Sequence, residues 1–270
     1  MKTHSIPVAG NTTLFVRDVG EGRPILFVPG WTFGHDVFGA QQAGLSDSHR
    51  VITYDPRGTG RSPATLMGNT YAQHGDDLAA LIEALDLHDV IVVAWSYGSN
   101  TAYAYLRAHG HDRVGGLAIL DESPKPMRDA EIAWGEGSAA ELSAYLGMLR
   151  EGHAEFMSGY AQTMISRETT PEEMDHILAS SQSTEPHVAW ALFADGALAD
   201  WREEARAISR ARPYWNVVRD EHKDAASAWL SENAPAGRLS VYPSHMMFWE
   251  FPDRFNQDLR AFAAEGGNGS

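Results

Sequence analysis

The stretch VVAWSYGS, residues 92–99, sets a single hydroxyl, Ser96, between an apolar run and a tyrosine–glycine pair. A serine directly after a buried strand and directly before a helix sits on a tight turn, which pushes its side chain out at the top of a sheet. The two arms of such a turn nearly touch, so the residues two before and two after must be small. Here they are Ala94 and Gly98. The pattern A-W-S-Y-G differs from the usual nucleophile elbow G-x-S-x-G by one methyl group, a mild departure. The bland alternative is a serine that merely caps a strand. A hydroxyl is a poor nucleophile until a base takes its proton, so the chemistry requires a histidine, itself on a loop after a strand. Of the twelve histidines, His4, His49, His74, His88, His109, His111, His153, His176, His187 and His222 fall in polar or helical contexts and read as solvated surface. His35 follows the Gly30–Trp31 turn and is a candidate to line a pocket. His245 follows RLSVYPS and precedes MMFWEFP, which would carry it to the end of a strand near Ser96. The alternative for His245 is a ring packed among Met246, Met247 and Phe248.

The elements that must position these groups follow from periodicity. HSIPVA and TLFVRDV read as two strands around a Gly10–Asn11 turn, and PILFVPG (24–30), VITYD (51–55), DVIVVAW (89–95) and VGGLAILD (114–121) as further strands. Leu78, Leu81, Ile82 and Leu85 recur at helical spacing, and Gly98 to Gly110 reads as a helix. This alternation predicts an α/β fold with a mainly parallel sheet and helices on both faces, whose ligands bind beyond the carboxyl ends of the strands. Chemistry is therefore expected near Pro29–Trp31, Ser96 and Asp121. The rhythm breaks over 122–210, a mostly helical, acidic stretch carrying Trp134, Phe156, Met157, Met164, Trp190, Phe193 and Trp201, which reads as an inserted lid. Strands resume at 213–218 and 238–243, each followed by a helix. The expected organisation is a core of 1–121 and 211–264, a helical lid at 122–210 and a flexible tail at 265–270.

Bulk properties exclude several roles. The 270 residues carry 21 Lys and Arg against 36 Asp and Glu, a net charge of −15, which argues against nucleic acid or an anionic membrane as a partner. There is no cysteine, hence no disulfide framework and no thiolate metal site. GTGRS lacks the P-loop spacing, and Asp55, Arg57 and Arg61 read as turn and charge-pair residues below the site. No apolar run approaches a membrane span and the first residues lack a secretory core, so a cytoplasmic protein is expected, as a monomer or homodimer acting on a small molecule.

FVPGW, YDPRGTGRS, AWSYGS and HMMFWEFPDRFN together resemble the α/β-hydrolase fold family, the last fitting its H-x-x-x-x-E-x-P pattern. The order of Ser96 before His245 agrees with that family, and the resemblance covers nearly the whole chain outside the lid. It implies an eight-stranded sheet and an oxyanion hole made by the backbone N–H groups of Trp31 and Tyr97. It also implies an acid that orients the histidine. The usual location in the family corresponds to NVVRDEHKD, which lacks the common G-x-x-D form. Asp220 is available there, while Asp224 falls within the following helix. Some members, including haloalkane dehalogenases and certain lactonases, place the acid after the earlier strand. There Asp121 is favoured, with Asp220 as the alternative and Glu122 a weaker candidate. Gly30, His35, Trp95, Met246 and Phe248 are expected at the substrate pocket. The expected activity is hydrolysis of an ester or lactone of a small, largely apolar substrate through Ser96, His245 and Asp121, with no cofactor or metal. GW-x-x-x-H-x-V-F and ILDESPKP are also similar to cofactor-free dioxygenases of 3-hydroxy-4-quinolones, in which a His–Asp pair acts and the serine is a bystander. A non-catalytic receptor of the same fold is a third possibility.

Overall fold

A computed structural model describes residues 1–265. Its strands are β1 (Lys2–Val8), β2 (Thr12–Val19), β3 (Pro24–Val28), β4 (Arg50–Asp55), β5 (Val90–Trp95), β6 (Val114–Leu120), β7 (Tyr214–Arg219) and β8 (Arg238–Tyr242). They form one sheet in the order β1-β2-β4-β3-β5-β6-β7-β8. The pairs β1–β2 and β2–β4 are antiparallel and the remaining pairs are parallel. The eight-stranded, mainly parallel sheet expected from the sequence is present. The apolar runs VIVVAW and VGGLAIL are buried along their whole length, as strands covered on both faces must be. In β2, buried and half-buried positions alternate, the signature of a strand near the sheet edge with one covered face.

The helices on the core are α1 (Gly39–Leu45), α2 (Tyr71–Ala84) and α3 (Gly98–His109). Next come α4 (Ala139–Glu151), α5 (His153–Gln162), α6 (Pro171–Ser181), α7 (Pro186–Ala197) and α8 (Arg202–Ala211), all between β6 and β7. Then follow α9 (Lys223–Asn233), the single turn α10 (Met247–Glu250) and α11 (Pro252–Ala264). Strand side chains of alternating parity feed two cores, as a pleated strand requires. Leu26, Val28, Val92, Ala94, Leu117 and Ile119 pack with α2, α3, α8 and α9. Ile25, Phe27, Ile91, Val93, Ala118 and Leu120 pack with α1, α10 and α11.

The strand order reverses between β3 and β5, so the loops after these two strands open a crevice at the top of the sheet. Helices α4 to α7 lie over it, and Leu142, Leu149, Met157, Val188 and Leu192 from the cap pack with Trp31, Tyr71 and Tyr97 from the core. Helix α8, expected as part of the lid, instead joins the main core through Ala205 and Ile208. Trp201 packs there too, its indole N–H donating to Asn100 Oδ1 at 2.6 Å, and Trp134 lies 6.1 Å from Trp229 of α9. These two tryptophans are core residues rather than lid residues, because the chain at both ends of the insertion is folded back onto the sheet layer. The tail expected at 265–270 lies, beyond Glu265, outside the described residues. No helix among the described residues is long and apolar enough to cross a membrane.

Candidate active site

Ser96 sits on the β5–α3 turn with φ +52°, a left-handed conformation that costs a non-glycine residue roughly 1–3 kcal/mol. Two backbone bonds hold it there: its N–H donates to Leu120 O at 2.8 Å, and its carbonyl accepts from Ser99 N at 2.8 Å. The sharpness of the turn explains its small neighbours. A Cβ on Gly98 would stand 2.4 Å from Pro29 O and 2.7 Å from Val28 O, and a Cβ on Gly30 would stand 3.0 Å from the Trp95 ring. After β3 the chain makes a second tight turn, in which Phe33 N donates to Gly30 O and Thr32 takes φ +69°. The Trp31 indole is fixed to the cap by donating to Ala189 O at 2.8 Å. The backbone N–H groups of Trp31 and Tyr97 donate to no protein acceptor among the described residues.

His245 lies in the loop between β8 and α10, where Trp95 Nε1 donates to its carbonyl at 3.0 Å. Its Nδ1 is 2.6 Å from Asp121 Oδ2. Its Nε2 is buried and has no protein partner among the described residues. Asp121 ends β6 with φ +54° and is fully buried. Its Oδ1 accepts from Arg219 N at 2.8 Å. Arg219 Nε stands 2.6 Å from its Oδ2, close enough for charge compensation but out of line for a hydrogen bond. Asp220 is exposed on the turn after β7 and faces a separate depression with Ser166 and Ser244. The structure thus brings Asp121, not Asp220, to His245. The loop that was the usual place for the acid delivers that acid's cation instead.

Behind Asp121 the charges continue outward. Arg219 Nη2 meets Glu136 of the insertion, Nη1 meets Glu221 at 2.9 Å, and His222 Nε2 lies 3.0 Å from Glu136 Oε1. Partial burial works against ionising Glu136, but the His222 hydrogen bond and the Arg219 charge outweigh it and hold its carboxyl at about 2. The same hydrogen bond raises the His222 imidazole above its ordinary value, against the effect of burial. Glu122, next to Asp121, behaves oppositely. Burial, reinforced by the charges of Glu136 and Asp121, pushes its carboxyl well above the usual carboxylate range. Sequence reasoning missed Arg219, Glu136 and His222. The visible signal was an arginine at the end of β7, the neighbour of the strand that ends in Asp121.

Ser96, Tyr97, Trp31 and His245 open on one cavity of about 500 Å³ beneath the cap. Its walls are Tyr145 and Met148 of α4, Phe156 and Tyr160 of α5, Phe193 of α7, and Met127. Glu122, Glu136 and Glu155 are its acidic residues. All five of the pocket residues expected from sequence stand elsewhere. His35 is turned to the core, where its Nδ1 and backbone N both lie 2.7 Å from Asp55 Oδ1 and its ring meets Phe15 edge-on. Trp95, Met246 and Phe248 are buried below the cavity floor: Trp95 packs on Phe33, His245 and Phe248, and Phe248 on Phe38. Gly30 forms the turn beneath Trp31 rather than the wall. Proximity to Ser96 and His245 in the chain misled for Trp95, Met246 and Phe248, whose side chains turn from the cavity into the core below it. His74, expected at the surface, is buried with burial lowering its imidazole to about 4. Among the described residues there is no group of three or more histidine and acidic side chains arranged to hold a metal.

A family model described as the alpha/beta hydrolase fold matches residues 23–162, just over half of the chain. The AB hydrolase superfamily protein YisY of Bacillus subtilis is 36% identical over 118 residues, 43% of this chain and 44% of that protein, so the match spans less than half of the relative. A pimeloyl-[acyl-carrier protein] methyl ester esterase of Nitrosospira multiformis is 24% identical across 94% of this chain and 99% of its own. An esterase from Exiguobacterium antarcticum superposes with a TM-score of 0.90 at 21% identity, covering 97% of this chain and 99% of that one, a likeness of fold.

Proposed function

The chain belongs to the alpha/beta hydrolase fold family, and from that premise we propose that it is a serine hydrolase of a small, largely apolar carboxylic ester or lactone. The carrying observation is the 2.6 Å contact between His245 Nδ1 and Asp121 Oδ2, which leaves Nε2 unpartnered beside the same cavity as Ser96. His245 Nε2 accepts the Ser96 proton as Oγ attacks the substrate carbonyl carbon. Electrons move onto the carbonyl oxygen, and the N–H groups of Trp31 and Tyr97 stabilise it, donors of a kind worth roughly 10²–10³ in rate each. Collapse of the tetrahedral species breaks the ester C–O bond, and the imidazolium returns its proton to the leaving alkoxide. Water, deprotonated by His245, then attacks the acyl carbon; the bond to Ser96 Oγ breaks, the acid leaves, and the imidazolium returns the proton to Oγ. Asp121 holds the Nδ1 proton in place and compensates the imidazolium charge. The aromatic walls and the cavity of about 500 Å³ support a compact apolar substrate.

The test is labelling by a fluorophosphonate probe. Ser96 is expected to take the label, and Ser96→Ala is expected to lose it together with at least a thousandfold of p-nitrophenyl ester turnover, roughly. Folded protein that stays unlabelled, and hydrolysis that survives in Ser96→Ala, overturn the assignment. Oxygen uptake with a 3-hydroxy-4-quinolone that persists in Ser96→Ala but not in His245→Ala would move the chemistry to the His–Asp pair alone.

A further inference from the structure

Among the described residues that line the cavity, Glu122 is the buried carboxyl that the reaction above leaves idle. Only 3% of it is accessible. One oxygen, Oε1, accepts a hydrogen bond from Ser123 N at 2.9 Å. The other has no protein partner among the described residues. Asp121 beside it is compensated by Arg219 and His245, whereas Glu122 has a single backbone donor and lies near two other acids, Asp121 and Glu136. Burial and the two neighbouring acids favour the protonated form of a carboxyl so placed, and adjacent carboxyl groups in unlike surroundings commonly take unlike roles. The proton makes the free oxygen a hydrogen-bond donor in a cavity walled mainly by rings and thioethers.

The geometry points to Glu122 as a specificity-determining residue that donates a hydrogen bond to a neutral oxygen of the substrate outside the scissile group. The class selected is an ester or lactone carrying an ether, hydroxyl or second carbonyl oxygen, in preference to its all-carbon counterpart. An unmatched buried donor is costly, so a substrate lacking the oxygen loses about tenfold relative to one that has it. An ammonium-bearing substrate would instead need Glu122 ionised, which its surroundings oppose. The inference rests on the hydrolase reading for its substrate but not for its binding.

The test compares wild type, Glu122→Gln and Glu122→Leu on two isosteric pairs and one cation. The pairs are p-nitrophenyl pentanoate against 3-methoxypropanoate, and butyl acetate against 2-methoxyethyl acetate. The cation is p-nitrophenyl 4-(trimethylammonio)butanoate. Each kcat/KM is divided by the ester's rate with hydroxide. Wild type is expected to favour the oxygenated member of at least one pair. Glu122→Gln, which keeps a neutral donor, should retain that preference within about threefold, while Glu122→Leu should lose about tenfold of it, expressed in KM. Three results overturn the proposal: no preference in either pair, an equal fall on all five esters in Glu122→Leu, or a selective loss of the cationic ester in Glu122→Gln. Calorimetric binding of the same esters to Ser96→Ala separates the two claims. Ether preference in binding without wild-type turnover sinks the hydrolase reading alone, and turnover without ether preference sinks the role of Glu122 alone.

Discussion

At the scale of single residues, the site is decided by which carboxylate reaches His245. Asp121 lies 2.6 Å from its Nδ1, and Asp220 is exposed in another depression. Asp121→Asn is therefore expected to cut kcat by roughly 10²–10⁴, since an amide there favours the wrong imidazole tautomer. Asp220→Asn is expected to stay within about twofold, as surface substitutions do. Equal, small losses on p-nitrophenyl esters would refute the assignment. Ser96 and His245 were legible because each carries a local signature, a small–x–Ser–x–small turn and a histidine just past a C-terminal strand. Asp121 was legible only as one of two places, since a strand-end aspartate has no signature of its own. The convergence of Arg219 and Glu136 behind Asp121 was not legible. Their meeting depends on β7 lying beside β6 and on the path of an irregular segment, neither of which has a periodic trace in sequence.

At the scale of elements, continuous apolar runs made β3, β5 and β6 readable, and the strand order they adopt opens the crevice. The cap was readable as an interruption but not as a wall. Phe156 and Phe193 face the cavity while Trp134 and Trp201 join the main core, and composition does not distinguish them. The elbow makes the sharper prediction. Gly98→Ala would drive a methyl into two backbone carbonyls, at 2.4 and 2.7 Å, which cannot yield as a side chain would. It should cost about 2–4 kcal/mol, a fall of several degrees or more in Tm. Gly147→Ala, within α4 where an added Cβ meets nothing within 4 Å, should be neutral or stabilising by up to ~1 kcal/mol. A scanning-calorimetry comparison in which the two variants melt alike would show that the turn is not as tight as its geometry states.

At the scale of the whole molecule, a net charge of −15 and the acidic residues lining the cavity agree in sign, so anionic substrates are repelled. Stability should carry a pH signature from His74. Its ring is buried between Tyr71 and the Arg57–Asp77 pair, and its imidazole is lowered to about 4 from 6.5, chiefly by burial. A group with a depressed folded value stabilises above its unfolded value, and that contribution is lost as pH falls. The window is thus about pH 6.5 to 4, and the loss about 3 kcal/mol. Urea unfolding of wild type and His74→Phe at pH 7.5, 6 and 5 should show wild type losing ground to the variant, and parallel curves would exclude this role. The order of the site along the chain also gives it a history. Trp31, Ser96 and Asp121 leave the ribosome first, the cap follows, and His245 arrives only after β8. On the hydrolase reading, a nascent chain that has already made its elbow remains inert until that last strand brings the base, so chemical competence is itself a report that the sheet has been completed.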